Sequence, residues 1–277
     1  TESSAASDVY KRQLYEDYLA VDGVSFSIGS GQICGLVGPN GAGKTTTMRC
    51  VAGLIPATAG SLRVAGRDVQ SELLEIKQRL AYVPDDPPLF DDLSVIQHLE
   101  FVGRLYRVAD YHDKAERLLR QFDLIDKFRA GATTLSRGMR QKLAVCCAYM
   151  YDPEVLLLDE PLTGLDPPGI RTLLASIRHR AAEGATVVIS SHLLAMIEDI
   201  CTHLLVMQAG KIHYFGAAES LRRAYPQAKT LEQAYFAATG DPQGNSIADA
   251  DTTPLIPPVI TISDPPNLAD YSSGASS

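Results

Sequence analysis

The chain is 277 residues long, 45% apolar and 21% charged, with a formal net charge of −8. That is apolar residue enough for a buried core and length enough for one large domain or two small ones. The acidic balance and the lack of a long basic run argue against a broad nucleic-acid-binding face, and no apolar run approaches the ~18 residues needed to cross a bilayer. Five cysteines, an odd number without metal-type spacing, fit a reduced cytosolic protein with buried thiols; the polar start TESSAAS shows no secretory signal.

The first seven residues read as a loose tail. Apolar runs predict strands at 24–28 and 33–37. The second runs straight into GPNGAGKTT, residues Gly38, Pro39, Asn40, Gly41, Ala42, Gly43, Lys44, Thr45 and Thr46. The spacing G-x-x-x-x-G-K-T between a strand and a helix predicted over 44–51 is that of a phosphate-binding loop. Its glycines let the backbone curl so that N–H groups face an anion, and the helix adds its positive N-terminal end. In this pattern Lys44 reaches the β- and γ-phosphates of a nucleotide and the Thr45 hydroxyl holds Mg²⁺.

Strands follow at 61–64 and 80–83. From about 85 to 151 the pattern turns mainly helical, with helices at 94–106, 111–122 and 137–151. This predicts a separate helical lobe inserted between two halves of a sheet domain. The last of these helices opens at TLSRGM, where Ser136 is a good N-cap and Gly138 stands close behind it. Such a helix start binds an anion, yet it lies in the other lobe from the first phosphate site. One chain then carries two half-sites, and a head-to-tail pair would complete both, with Ser136 and Gly138 acting in trans.

The strand at 155–158 ends in Asp159 and Glu160. A phosphate-loop ATPase needs a carboxylate at such a strand end to support Mg²⁺, the place of Asp159, and Glu160 then orients or deprotonates the attacking water. A helix at 168–183 leads to a strand at 186–190 and to His192 in SSHLL. Parallel strands end on one side, so this histidine comes within reach of the γ-phosphate; the other five histidines have no such context and read as structural. A helix at 193–201, strands at 204–208 and 211–215 and a helix at 230–239 follow. Strands alternating with helices argue an α/β sheet with much parallel pairing. From 241 to 277 there are six prolines, five aspartates and no lysine or arginine. PLIPPVITI, broken by proline, reads as no central strand, and the tail as mostly disordered apart from a short docking segment at most.

Five segments together resemble the nucleotide-binding subunit of an ATP-binding cassette (ABC) transporter: GPNGAGKTT; LSRGM at the place of the signature leucine-serine-glycine-glycine-glutamine; LLLDEP; LTGLD; and SSH. The resemblance covers roughly residues 9 to 240. It implies an ABC ATPase fold, a P-loop NTPase (RecA-like) α/β core with an inserted helical lobe and a small antiparallel β part. The domain would span 8–240, with the core lobe at about 8–84 and 152–240, the helical lobe at about 85–151, and 241–277 as a tail. It further implies ATP and Mg²⁺ sandwiched between two ATPase subunits (all catalytic parts in one chain permit a homodimer) and hydrolysis coupled to a membrane-spanning permease at the cytoplasmic face, with no nucleic acid. The resemblance places Tyr15 under the adenine, with Tyr18 as runner-up, and Asp166 in the loop that crosses the dimer interface. In the loop joining the lobes, Asp85 stands where the family has a metal-associated glutamine and would reach Mg²⁺ through water, and in the signature Arg137 and Met139 replace glycine and glutamine. These departures, and LEQAYFAATG as closing helix, resemble the exporter branch with a separate permease. The alternatives are a soluble ABC ATPase acting on ribosomes or DNA, whose relatives carry paired cassettes or long coiled-coil insertions, and a small-molecule kinase, which would not need Ser136, Gly138 and His192.

Overall fold

The computed structural model describes residues 21–240 and 258–263. In chain order, β1 (Phe26–Gly29) and β2 (Ile33–Val37) lead into the glycine-rich loop and α1 (Lys44–Val51), followed by β3 (Ser61–Val64), β4 (Arg67–Asp68), α2 (Leu73–Lys77) and β5 (Leu80–Val83). The helical lobe is α3 (Val95–Leu105), α4 (Tyr111–Gln121) and α5 (Arg137–Tyr149). The chain then returns through β6 (Val155–Leu158), α6 (Pro167–Ala182), β7 (Thr186–Ser191), β8 (His203–Gln208), β9 (Lys211–Ala217), α7 (Ala218–Ala224), α8 (Leu231–Gly240) and β10 (Pro258–Ser263).

The main sheet has the order β5-β6-β7-β2-β8-β9, parallel except for β9. Its central strands are buried along their whole length. This is why they read as continuous apolar runs: a parallel strand is covered by helices on both faces. Successive residues face opposite cores. Ile33, Val37, Leu156, Leu158, Val187 and Ile189 join the cluster under α5 and α6, whereas Cys34, Leu36, Val155, Leu157 and Val188 join the one under α1. The first cluster continues without a break into the helical lobe, through Leu99, Leu119 and Phe122. The lobe is therefore not a unit with its own core. Helix α5 ties it down, with Tyr149 OH and Ser176 Oγ 3.0 Å apart between α5 and α6.

The expected elements form close to their expected bounds, with two corrections. The helix expected over 193–201 is only a 3-10 turn at Leu194–Met196 with further short turns. Its buried residues are Leu194, Ile197 and Ile200, a spacing of three, which a helix of three residues per turn keeps on one face. The second correction lies in the tail. Pro258–Ser263 is an interior strand, seated between β1 and β3 in a four-stranded antiparallel sheet of order β1-β10-β3-β4. Ile260 pairs with Ile28 on one side and Val64 on the other, and Ile262 with Phe26 and Leu62. Proline does not forbid this, because Pro258 is the first residue of the strand and faces Gly29 at a bulge, both permitted places. The rest of the tail, 241–257 and 264–277, lies outside the described residues.

Ile260 is fully buried and belongs to the same apolar cluster as Phe26, Ile28, Val64 and Met48 and Val51 of α1, so the tail strand adds to the core that seats the helix after the phosphate loop. Ile260→Ala is expected to destabilise the protein by about 2–4 kcal/mol in denaturant unfolding. A tail without structure would leave the midpoint unchanged.

Candidate functional site

Strands β6, β7 and β2 are neighbours and end together, with Leu158 beside Ile189 and Val37 beside Ser191. Everything that follows those three ends therefore meets in one crevice, as open parallel sheets dictate. After β2 comes the glycine-rich loop. Gly38 is pressed so closely on the end of β8 that a Cβ would stand 2.2 Å from the Met207 carbonyl oxygen; no other residue fits. Pro39, Asn40 and Gly41 are exposed, and Ala42 is buried, its carbonyl accepting from Gly210 N–H at 3.1 Å. Helix α1 starts at Gly43 with no side-chain cap and no acidic residue in its first turn, so that its positive end is left for a ligand anion. Thr45 and Thr46 stand half-buried in that turn.

Lys44 is buried, and its ammonium donates to the carbonyls of Gly38 at 2.7 Å and Pro39 at 3.3 Å, with Glu160 Oε1 at 3.8 Å. Burial pushes its pKa down, against the pull of Glu160 and Asp159. Asp159 is buried too. Its Oδ1 accepts from Ser190 Oγ at 2.6 Å and its Oδ2 from Tyr82 OH at 3.3 Å. Burial, and then Asp159, push the Tyr82 phenol up to about 12, so it remains a donor. The Ser190 hydroxyl also accepts the Glu160 N–H at 2.8 Å, and Glu160 has φ 47°, a left-handed backbone that a surrounding hydrogen-bond network has to hold. Glu160 Oε2 lies 2.8 Å from Nδ1 of the half-exposed His192.

Lys44, Asp159, Glu160 and His192 are thus brought together. Asp85, Ser136, Gly138 and Asp166 gather instead around the start of α5. Ser136 caps α5, its exposed hydroxyl accepting from Met139 N–H at 3.3 Å. Gly138 is buried against Gly164 of its own chain. Asp166 lies 3.4 Å from Lys142, and the Asp85 carboxylate is paired with Arg137 at 2.8 Å. Tyr15 and Tyr18 lie outside the described residues. Ser190 and Tyr82 were missed by sequence reasoning. Ser190 stands inside SSH, where a hydroxyl at a strand end beside an aspartate strand was the available signal.

A groove of about 300 Å³ opens where the β5 exit loop meets α3 and α5, lined by Pro87, Leu89, Phe90, Phe101, Leu105 and Tyr151 among others. Phe90, Phe101 and Leu105 are exposed, the two phenylalanines 5.4 Å apart edge to face. Behind them His98 accepts from the Phe90 N–H at 3.0 Å, with its Nδ1 2.8 Å from the Ser94 carbonyl.

Residues 21–163 match the family model described as ABC transporter. The chain is 35% identical over 202 residues to Nod factor export ATP-binding protein I of Cupriavidus metallidurans, covering 72% of this chain and 67% of that protein. It is 30% identical over 225 residues to the ABC-type transporter ATP-binding protein EcsA of Bacillus subtilis, covering 80% and 91%. A solved structure described as the ATP binding subunit of an ABC transporter superposes with a TM-score of 0.75 at 29% identity, over 79% of this chain and 93% of that one. The chain belongs to the ABC transporter family, as an ATP-binding subunit that hydrolyses ATP to power transport. Among the described residues no helix is long and apolar enough to cross a membrane. An ATP-binding subunit of a transporter implies membrane permease partners.

Ser190→Ala removes a donor to Asp159 and an acceptor for the Glu160 amide in one change. Leaving buried partners unpaired costs ~1–3 kcal/mol, so kcat is expected to fall about tenfold with KM for ATP little changed, measured by steady-state phosphate release.

Proposed function

We propose that the chain is one half of an ATP-driven clamp that powers an exporter from the cytoplasmic face of the membrane. The observation that carries the catalytic part is the contact of Glu160 with His192 at 2.8 Å, beside the buried ammonium of Lys44. ATP is the substrate. Its phosphates lie on the amides of residues 38–46 and against Lys44, with Tyr15 under the base. Thr45 and Asp159 would hold Mg²⁺ together with the phosphates, and the ion would supply positive charge to neutralise the nucleotide. The donor set suits it: Mg²⁺ takes one or two carboxylates plus substrate phosphates, not a closed protein cage, and among the described residues no cluster of three or more His, Cys, Asp or Glu side chains forms such a cage.

Glu160 accepts the proton of the attacking water and points it in line, and His192, on the other side of that carboxylate, steadies the charge that develops at the γ-phosphate. Lys44 remains an ammonium donor throughout. Ser136 and the backbone at Gly138, exposed and close-packed respectively at the start of α5, are supplied by a second subunit, and Asp166 lies at the same junction. ATP then favours the closed pair and hydrolysis releases it, a two-state element biased by the nucleotide. The apolar groove at Phe90 and Phe101 receives the permease. An exposed pair of aromatic rings rimmed by the lobe junction is where a membrane chain would feel the lobes move. Export is supported by the Nod factor export relative, of which this chain covers 67%.

Glu160→Gln is expected to bind Mg-ATP, lose turnover and shift from monomer to dimer only with ATP, read as mass in solution. Turnover retained by this variant would remove Glu160 from the catalytic role, and ATP binding without dimerisation would remove the self-paired clamp. The groove carries its own pH test. Burial, with Arg140 adding to it, holds the pKa of His98 below its ordinary 6.5 against the bond to Ser94. With the folded pKa lowered, stability is full above about pH 6.5 and falls as pH drops through the window beneath it. The protection of the Phe90 amide, taken as its hydrogen-exchange rate relative to the intrinsic rate at each pH, is expected to fall on acidification from about pH 7.5 to 5.5, and His98→Gln to flatten that dependence.

A further inference from the structure

Two positions at which this sequence departs from the family pattern, Arg137 and Asp85, are each other's partner. The Arg137 guanidinium donates to Asp85 Oδ1 at 2.8 Å. Asp85 lies two residues beyond β5, in the loop joining sheet and helical lobe, and Arg137 is the first residue of α5. Arg140 is directed at the same loop, with Nη2 3.5 Å from the Pro87 carbonyl.

The start of α5 also touches a second loop, the one that begins at Glu160. A Cβ on Gly164 would meet Arg137 Cδ at 3.2 Å and Cγ at 3.3 Å, so the Arg137 stem lies on that glycine. Gly138 is pressed on the Gly164 carbonyl, where a Cβ would stand 2.4 Å from the oxygen. Four residues on from Gly138, on the same helical face, Lys142 reaches Asp166 at 3.4 Å. The loop is therefore held at one end by Ser190, through the Glu160 amide, and at the other by the first turns of α5. Glu160, at the first of these anchors, has a left-handed conformation, and such a backbone persists only where its surroundings over-determine it.

We propose that Arg137 is a positioning residue for ATP hydrolysis: by bridging Asp85 and Gly164 it couples the interlobe loop and the start of α5 to the loop that aims Glu160. This rests on the catalytic role of Glu160 proposed above. It also assigns the Asp85 carboxylate to Arg137 and not to the metal.

The test is a double-mutant cycle on the full chain, with Asp85→Asn, Arg137→Gln and the pair together. The assay is steady-state ATP hydrolysis at low and high salt, across a Mg²⁺ titration. Both partners are about half exposed, and an exposed ion pair supports only a small effect. Each single change is expected to lower kcat about two- to fivefold at low salt, with KM for ATP and the Mg²⁺ half-saturation unchanged. The double variant is expected to match the singles, Arg137→Lys to keep most of the activity, and high salt to narrow the difference. Unchanged kcat in either single, additive losses in the double, or a raised Mg²⁺ requirement confined to Asp85→Asn would overturn the proposal, the last by returning Asp85 to the metal. Glu160→Gln in the same assay separates the two levels. If it is inactive and the cycle fails, Arg137 alone loses its role; if it turns over, the reading of Glu160 falls with it.

Discussion

The buried ammonium of Lys44 is the constraint on which the rest of the structure depends. A charge removed from water and left without compensation costs several kcal/mol, and the fold meets that cost with two loop carbonyls at 2.7 and 3.3 Å and the carboxylates of Glu160 and Asp159 nearby. Those carboxylates are available only because β6, β7 and β2 lie in that order in the sheet and end together. The same geometry supplies Ser190, which fixes both acids at once, to one through its hydroxyl proton and to the other through the backbone amide. An anion entering this site meets a cation already desolvated and already oriented, and each contact made there is stronger for the absence of bulk water.

Around that centre two regions of the molecule differ in how they are packed. The strands that carry the site are closely packed, buried along their whole length on both faces. The junction where α5 meets the interlobe loop and the loop after Glu160 is built from partly exposed ion pairs and close glycine contacts. Partly exposed pairs are weak individually. Loops held by them can shift relative to one another without unfolding the core. The unbroken apolar cluster running from the sheet into the helical lobe means that such a shift is a sliding of packed surfaces and not the swing of an independent body.

The prolines of the tail illustrate how a local rule misleads. Proline removes one backbone donor, and PLIPPVITI holds three of them, so the whole stretch reads as incompatible with a central strand. Yet the last of the three is spent at the first position of the strand, opposite a bulge, and from Val259 onward every residue can pair. The gap between β1 and β3, which only the folded chain creates, decides the outcome. The 3-10 turns after His192 are a similar case: an apolar spacing of three was legible, but read as an α-helix.

By itself the sequence determined the phosphate loop, the acidic strand end, the histidine after β7 and the alternation of strands and helices. Each of these is encoded by neighbours along the chain: glycine spacing, a continuous apolar run, a charged residue at its end. Which strands lie side by side, that Ser190 bonds both Asp159 and the Glu160 amide, that Asp85 meets Arg137 from 52 residues away, and that the tail supplies an interior strand were decided only by the tertiary structure. Those contacts join residues far apart in sequence, and their energy exists only once the core has brought the partners together and excluded water from between them.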